Sequence, residues 1–356
     1  MRRLFKIACV VVASAISLNG FAGNPDRAGE AGASELLINP WAMSAGWYGL
    51  NIASVKGIEA MSLNVAGLTF INQTQLEFSR SEYLVGSDVS ISSFGFAQRV
   101  GEGAIGLSLV SFNLGDIPVT TTQAPEGTGA VFTPRLSNIA VSYSRKFADY
   151  LAGGVTFRGI SENIADARAF GIGMDVGIQY ITGPAEHPEQ IKMGVALRNI
   201  GSPMRFQGDG VTFSGLVPDG SYNTTIAFRT ENFELPVLLT MGLSYDFYFG
   251  SKHRLTAVGN FISNSFYKDQ FGGGLEYALK VKGQEMFMLR SGYRYEDGIT
   301  SNDPTQRTTA HNGFAAGATF QTRFTDNDNT ILSINYAYRG SDPFDGTHSL
   351  GIRLSI

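Results

Sequence analysis

Between Phe170 and Tyr180 every second residue is large and apolar, namely Phe170, Ile172, Met174, Val176, Ile178 and Tyr180. Gly171, Gly173, Asp175, Gly177 and Gln179 lie between them. A strand turns successive side chains to opposite faces, so this segment has one wholly apolar face and one small or polar face. The pattern recurs in QIKMGVALRN, where Ile191, Met193, Val195 and Leu197 alternate with Lys192, Gly194, Ala196 and Arg198. It recurs from Leu235 to Phe249, from Phe271 to Val281 and in the terminal HSLGIRLSI. Extending the reading along the chain places strands near 70–80, 89–99, 104–114, 138–148, 151–161, 170–182, 189–200, 235–249, 253–263, 270–282, 286–296, 313–324, 330–339 and 348–356. Most reach the 9–11 residues or so that a tilted membrane strand needs, and fourteen is an even count.

The connections sort into two kinds. GEGA, FADY, GSK, KGQE and TDND are tight, whereas 115–137, 201–234 and 297–312 are long, and strand parity puts all three long links at one end of the sheet. Outer-membrane barrels have short turns at one rim and longer loops at the other. Charged residues are 16% of the chain, against roughly 25% in soluble domains, while 43% is hydrophobic. In a soluble sandwich or propeller the faces turned away from the core carry Lys, Glu, Asp and Thr. Here they are dominated by Gly, Ala and Ser, and no blade repeat is visible. The expected fold is therefore all-β, a transmembrane antiparallel barrel of about 14 strands. Tyr293, Tyr295, Tyr336 and Tyr338 near strand ends fit an interfacial aromatic girdle.

MRRLFK, an apolar run IACVVVASAISL and the small residues Gly20 and Ala22 make residues 1–22 a secretory signal peptide, expected to be cleaved before Gly23. Cys9, the chain's single cysteine, lies within it. The expected location is the outer membrane of a Gram-negative bacterium. Residues 23–69 hold both tryptophans, Trp41 and Trp47, and much Ala, Gly and Ser. Such a segment is too apolar for a solvated tail and too short for its own domain, so it is expected to fold back into the mouth or lumen of a 70–356 barrel. Glycine on the inward face would let its backbone approach closely. Within it Asn64 reads as an internal hydrogen-bonding anchor.

Chemistry is sparse. The four histidines are scattered, and TDNDNT lacks the glycine and glutamate of an EF-hand, so no metal or other cofactor is expected. No nucleophile–histidine–acid grouping stands out, and an enzyme is not expected. A net charge of −4 gives no basis for nucleic-acid binding. The expected lumen charges, Asp175, Lys192, Arg198, Glu276, Lys280, Arg290, Arg294 and Arg353, mix both signs, unlike the single-sign ring of an ion-selective pore. They would pair internally, meet a segment that fills the barrel, or simply be water-solvated residues of the wall.

The N-terminal motifs AGASELLINPWAMSAG and ASVKGIEAMSLNVAGL, with the element Asn64, Ala66, Gly67, Leu68, together with the NLGDIP segment, resemble FadL-like outer-membrane proteins. Within these the chain looks most like the PorV/PorQ-type family of Bacteroidetes. Val65 stands where that family usually has proline. The resemblance implies a plug-like N-terminal segment and a role in type IX protein secretion, with the secretion translocon and secreted cargo as partners and outer-membrane lipid as surroundings. Recognition would then fall to the long outer loops, with Phe132, Phe213, Leu216, Tyr222 and Phe228 as candidate contacts. The other reading the resemblance allows is a FadL-type channel for fatty acids or other hydrophobic small molecules, in which the same segment is a hatch.

Overall fold

The fourteen alternating segments close on themselves. In the computed structural model, which describes residues 27, 29–216, 220–301, 303, 306–323 and 330–356, they form one closed antiparallel barrel. Its strands are Thr74–Tyr83, Val89–Val100, Gly103–Asn113, Arg135–Ala148, Leu151–Ile164, Ala167–Thr182, Ile191–Gly201, Leu238–Phe249, His253–Asn264, Gln270–Val281, Gln284–Glu296, His311–Arg323, Ile331–Ser341 and Thr347–Ser355. The first strand closes the barrel by pairing with the last, from Gln75 opposite Ser355 to Glu82 opposite His348. No edge is left unpaired, which satisfies every ladder hydrogen bond inside a membrane. The described residues contain no helix long and apolar enough to cross one. The expected signal peptide and the Asp326–Asp328 turn lie outside the described residues.

The alternation decides which face meets lipid. Phe170, Ile172, Ile178 and Tyr180 point outward and are exposed, while Gly171, Gly173, Asp175, Gly177 and Gln179 point inward and are buried. Tyr293 and Tyr295 are likewise exposed near the end of their strand, whereas the exposed Tyr336 sits at the middle of Ile331–Ser341 rather than at its rim. Inward positions elsewhere are small or polar, as with Ala97, Ala104, Ser108, Ala140, Ser142 and Thr156. That leaves room for the chain's own N-terminal part.

Two expectations shift. The first strand begins at Thr74 rather than 70, because Val65–Phe70 winds as a 3-10 helix with Asn64 as its N-cap. Leu235, expected on the lipid face, precedes its strand and is buried against Ala33, Ile160 and Met204. Two of the long links also carry structure of their own. Ile117–Pro118 pairs with Val131–Phe132, and Thr212–Leu216 pairs with Asn223–Ala227.

Candidate functional site

Residues 33–71 are buried against the inward wall. The segment turns repeatedly, with short helical turns at Ser34–Leu37, Ala42–Ala45 and Ala60–Leu63 and left-handed backbone at Tyr48, Gly49 and Gly57. Its apolar side chains Trp41, Ile58, Met61, Leu68 and Ile71 cluster with Ala97 and Ala104 of the wall. Each fully buried large side chain of this kind contributes about 1.5–3 kcal/mol. Close approach depends on glycine. A Cβ on Gly194 would sit 2.8 Å from the Ile52 carbonyl oxygen and 2.9 Å from Ala53 Cα, so only glycine fits there without moving backbone. Gly95, Gly106, Gly177 and Gly292 similarly face Ile58, Met61, Asn64 and Trp47.

An irregular backbone cannot pair its own polar groups, and here the wall supplies partners. Asn64 Nδ2 donates to the Ile178 carbonyl at 2.9 Å and to the Ile52 carbonyl at 3.3 Å, while its Oδ1 accepts from Ala66 N. Gln179 Nε2 donates to the carbonyls of Ile52 and Val55 at 3.1 and 3.0 Å. Gln75 Oε1 accepts from Ile58 N at 2.8 Å. Ala66, Gly67 and Leu68 are buried beside Asn64. Val65 is the first residue of the 3-10 turn, a position at which proline is tolerated because its N–H would have no intrahelical partner.

At the short-turn end the interior charges are balanced. Arg353 holds Glu77 through Nε and Nη2 at 3.0 and 3.1 Å, and Nη2 also lies 2.9 Å from Glu59. Glu59 in turn accepts from Met43 N and Ser44 N at 3.2 and 2.8 Å, so the same carboxylate pins two parts of the inner segment. Lys192 pairs with Asp246, Arg254 with Glu276 and Glu285, and Arg290 with Glu276 at 2.9 Å. Arg290 also donates to the Met43 carbonyl. Glu59, Lys192, Asp246, Arg254, Glu276, Glu285 and Arg353, with Lys56, Glu189 and Lys280, line a cavity of about 350 Å³, whose walls are polar rather than apolar.

Toward the long-link end the balance changes. Asp175 accepts from Arg158 at 2.8 Å and from Asn199 N at 2.7 Å, and Arg158 also donates to the Met61 carbonyl. Arg198 donates to the Ser62 carbonyl. Arg294 stacks on Tyr48, its guanidinium carbon 4.1 Å from the ring centre. Glu35, on the inner segment, is buried; burial first, and then the Glu162 carboxylate, pushes its carboxyl up to about 7.

The expected site residues thus fall into three places. Asn64, Ala66, Gly67 and Leu68 lie in the interior, as do Asp175, Lys192, Arg198, Glu276, Arg290 and Arg294. Phe132, half-buried, belongs to the small sheet with Ile117, and Phe213, Leu216, Tyr222 and Phe228 project from or beside the Thr212–Ala227 hairpin. Phe213 and Phe228 also pack on each other, ring centres 4.8 Å apart. Sequence reasoning missed Glu59, Glu77, Arg158, Asp246 and Arg254. Four of these alternate with outward apolar residues on strands, so inward parity marks them; Glu59 sits in an irregular segment where no periodicity points to it.

No family model and no curated protein matches the sequence. Solved structures do match. The toluene transporter TodX of Pseudomonas putida is 13% identical with a TM-score of 0.55, over 89% of this chain and 97% of that one. For the monoaromatic hydrocarbon channel CymD the values are 13%, 0.54, 90% and 97%, and for the toluene transporter TbuX of Ralstonia pickettii 14%, 0.52, 88% and 97%. The fold is FadL-like. It is that of a bacterial outer-membrane barrel, and identities this low bear on the fold alone.

Proposed function

We propose that this chain is an outer-membrane channel for small hydrophobic compounds, closed at rest by residues 33–71 acting as a hatch. The observation that carries this reading is that residues 33–71 fill the lumen and hydrogen-bond to the wall, within a barrel whose fold is like that of a toluene transporter. The resting lumen offers no ready path, since its 350 Å³ cavity is lined by paired charges and the segment's apolar side chains are consumed in contacts with the wall. Passage therefore requires the segment to move. Proteoliposomes carrying the purified protein should take up labelled toluene or a medium-chain fatty acid faster than empty vesicles. A variant that loosens the segment should take it up faster still. Uptake equal to that of empty vesicles for both proteins would end this reading.

A second reading, a partner-binding barrel in type IX secretion, is favoured by a different observation. Leu216, Tyr222 and Phe228 are 59–62% exposed on a hairpin that belongs to a link rather than to the lipid-facing wall. Apolar surface of that kind suits a protein contact. Purification in mild detergent tests it: a stoichiometric large barrel or a secreted cargo domain that is lost on Leu216→Ser/Tyr222→Ser supports it, and purification of the barrel alone counts against it.

A further inference from the structure

The interior treats its cations in two ways. Arg158, Lys192, Arg254, Arg290 and Arg353 each lie within 4.0 Å of a carboxylate. Arg198, Arg294 and Arg339 have no carboxylate within that distance among the described residues. All three line one cavity of about 40 Å³ at the seam between the inner segment and the wall, toward the long-link end, together with Asn39, Tyr48 and Ile52. Arg339 is 5% exposed, and its Nε and Nη2 have no hydrogen-bond partner among the described residues; neither has Arg198 Nε. Arg294 lies within electrostatic reach of both other guanidiniums. The nearest acids are already engaged or set apart. Asp175 is held by Arg158 and Asn199 N, and Glu35 lines a neighbouring cavity that shares Arg198.

A guanidinium does not lose its proton in a protein, so this cluster cannot relieve itself by neutralisation. Burying unpaired charge is costly, and three like charges around one void add repulsion. An oxyanion removes both penalties, since guanidinium forks match carboxylate and phosphate oxygens. A cavity of this size exceeds the 10–15 Å³ or so that one water needs and admits a single such group.

We propose that this seam cavity binds one oxyanion, a carboxylate or phosphate group, through Arg198, Arg294 and Arg339, and that the bound anion fastens the inner segment to the wall. The site stands on the geometry of segment and wall, whether or not the barrel passes hydrophobic compounds. The test titrates inorganic phosphate into the purified barrel in detergent at fixed ionic strength with chloride as the balance. The unfolding temperature is read from heat-modifiable gel migration. A saturable rise is expected, with half-saturation weakened roughly tenfold or more in Arg339→Gln and in Arg294→Gln, the loss of one charge-assisted fork. Lys252→Gln, at an exposed turn, should leave it unchanged. Arg294 is partly exposed and donates no hydrogen bond among the described residues, so its variant answers the question even if Arg339→Gln fails to assemble. Acetate and octanoate arms separate the sources: equal half-saturation identifies a free small oxyanion, and octanoate binding at least tenfold tighter identifies the headgroup of an amphiphile. No saturable rise with any of the three anions, or a rise undiminished in both arginine variants, overturns the site.

Discussion

Replacing Arg353 with methionine should release the inner segment. In the native barrel this one guanidinium bridges Glu77 on the first strand and Glu59 on the segment, both 1% exposed. Removing one partner of a buried ionic group costs about 3–5 kcal/mol, because the remaining charges stay buried without compensation. Two carboxyls would be left here without their cation, and Glu59 is relieved by taking a proton or by withdrawing; withdrawal takes with it the hydrogen bonds to Met43 N and Ser44 N. At about 3 kcal/mol, the lower end of that range, the population in which the segment is unseated rises roughly 150-fold, at tenfold per 1.4 kcal/mol. Ser44 is fully buried and held by this clamp, and the mature chain expected after signal cleavage has no cysteine, so a Ser44→Cys reporter gives a single labelling site. Its maleimide labelling rate, measured where opening and closing are fast relative to labelling, should rise by about that 150-fold factor in Arg353→Met. Adding Glu59→Gln and Glu77→Gln to that variant should return most of the protection, since a neutral triad carries no stranded charge. A labelling rate within threefold of the parent would refute the clamp, whatever happens to the melting temperature.

Other perturbations separate the wall from the segment. Gly194→Val should leave the barrel heat-modifiable yet raise Ser44→Cys labelling, because the new side chain collides with the backbone at Ile52 and Ala53; Gly259→Ala, whose nearest neighbour would be 4.0 Å away, should change neither. Asn64→Ala removes donors to two carbonyls and should weaken seating by about 1–3 kcal/mol, read by the same labelling assay. Leu289→Arg places a charge on the lipid face and should cost about 2–4 kcal/mol if it sits near the bilayer midplane, lowering the fraction that assembles in membranes. For Glu35 the sign follows from its raised pKa: the fold favours the protonated carboxyl, so its contribution is intact below the ordinary value of 4.5 and is lost as pH rises through about 7. The loss approaches about 3 kcal/mol. The unfolding temperature should therefore fall between pH 5 and 8 in the native protein and do so less in Glu35→Gln.

The wall was legible because membrane strands obey one rule with period two. Every expected strand from 89–99 onward has a counterpart, since each carries its own record of which face meets lipid. The failures lie where that rule lapses. Leu235 shares the parity of Leu239, but its backbone has not yet entered the sheet, and parity has no meaning off the ladder. Asn64, flanked by small residues, invited an internal role, yet its partners at Ile52 and Ile178 lie 12 and 114 residues away. Nothing local encodes such distances. The lumen charges could be named individually from their faces, but their pairing depends on register and barrel closure. Arg353 and Glu77 meet only because the last strand returns to the first.

Mixed lumen charge now has a physical account. A segment that turns as often as residues 33–71 presents carbonyls that no ladder satisfies, and water is largely excluded where it lies. Arg158, Arg198 and Arg290 each donate to such a carbonyl, at Met61, Ser62 and Met43. Arg158 and Arg290 are also neutralised by a wall carboxylate. The acids therefore make it tolerable to bury the donors that the segment requires. On this logic a cation of the interior without its acid is the exception that calls for a counter-ion from outside the chain. Such exceptions gather at the one seam where Arg198, Arg294 and Arg339 face Tyr48 and Asn39. A merely solvated wall would have no reason to pair Arg158, Lys192, Arg254, Arg290 and Arg353 with acids and leave three arginines of one seam without one.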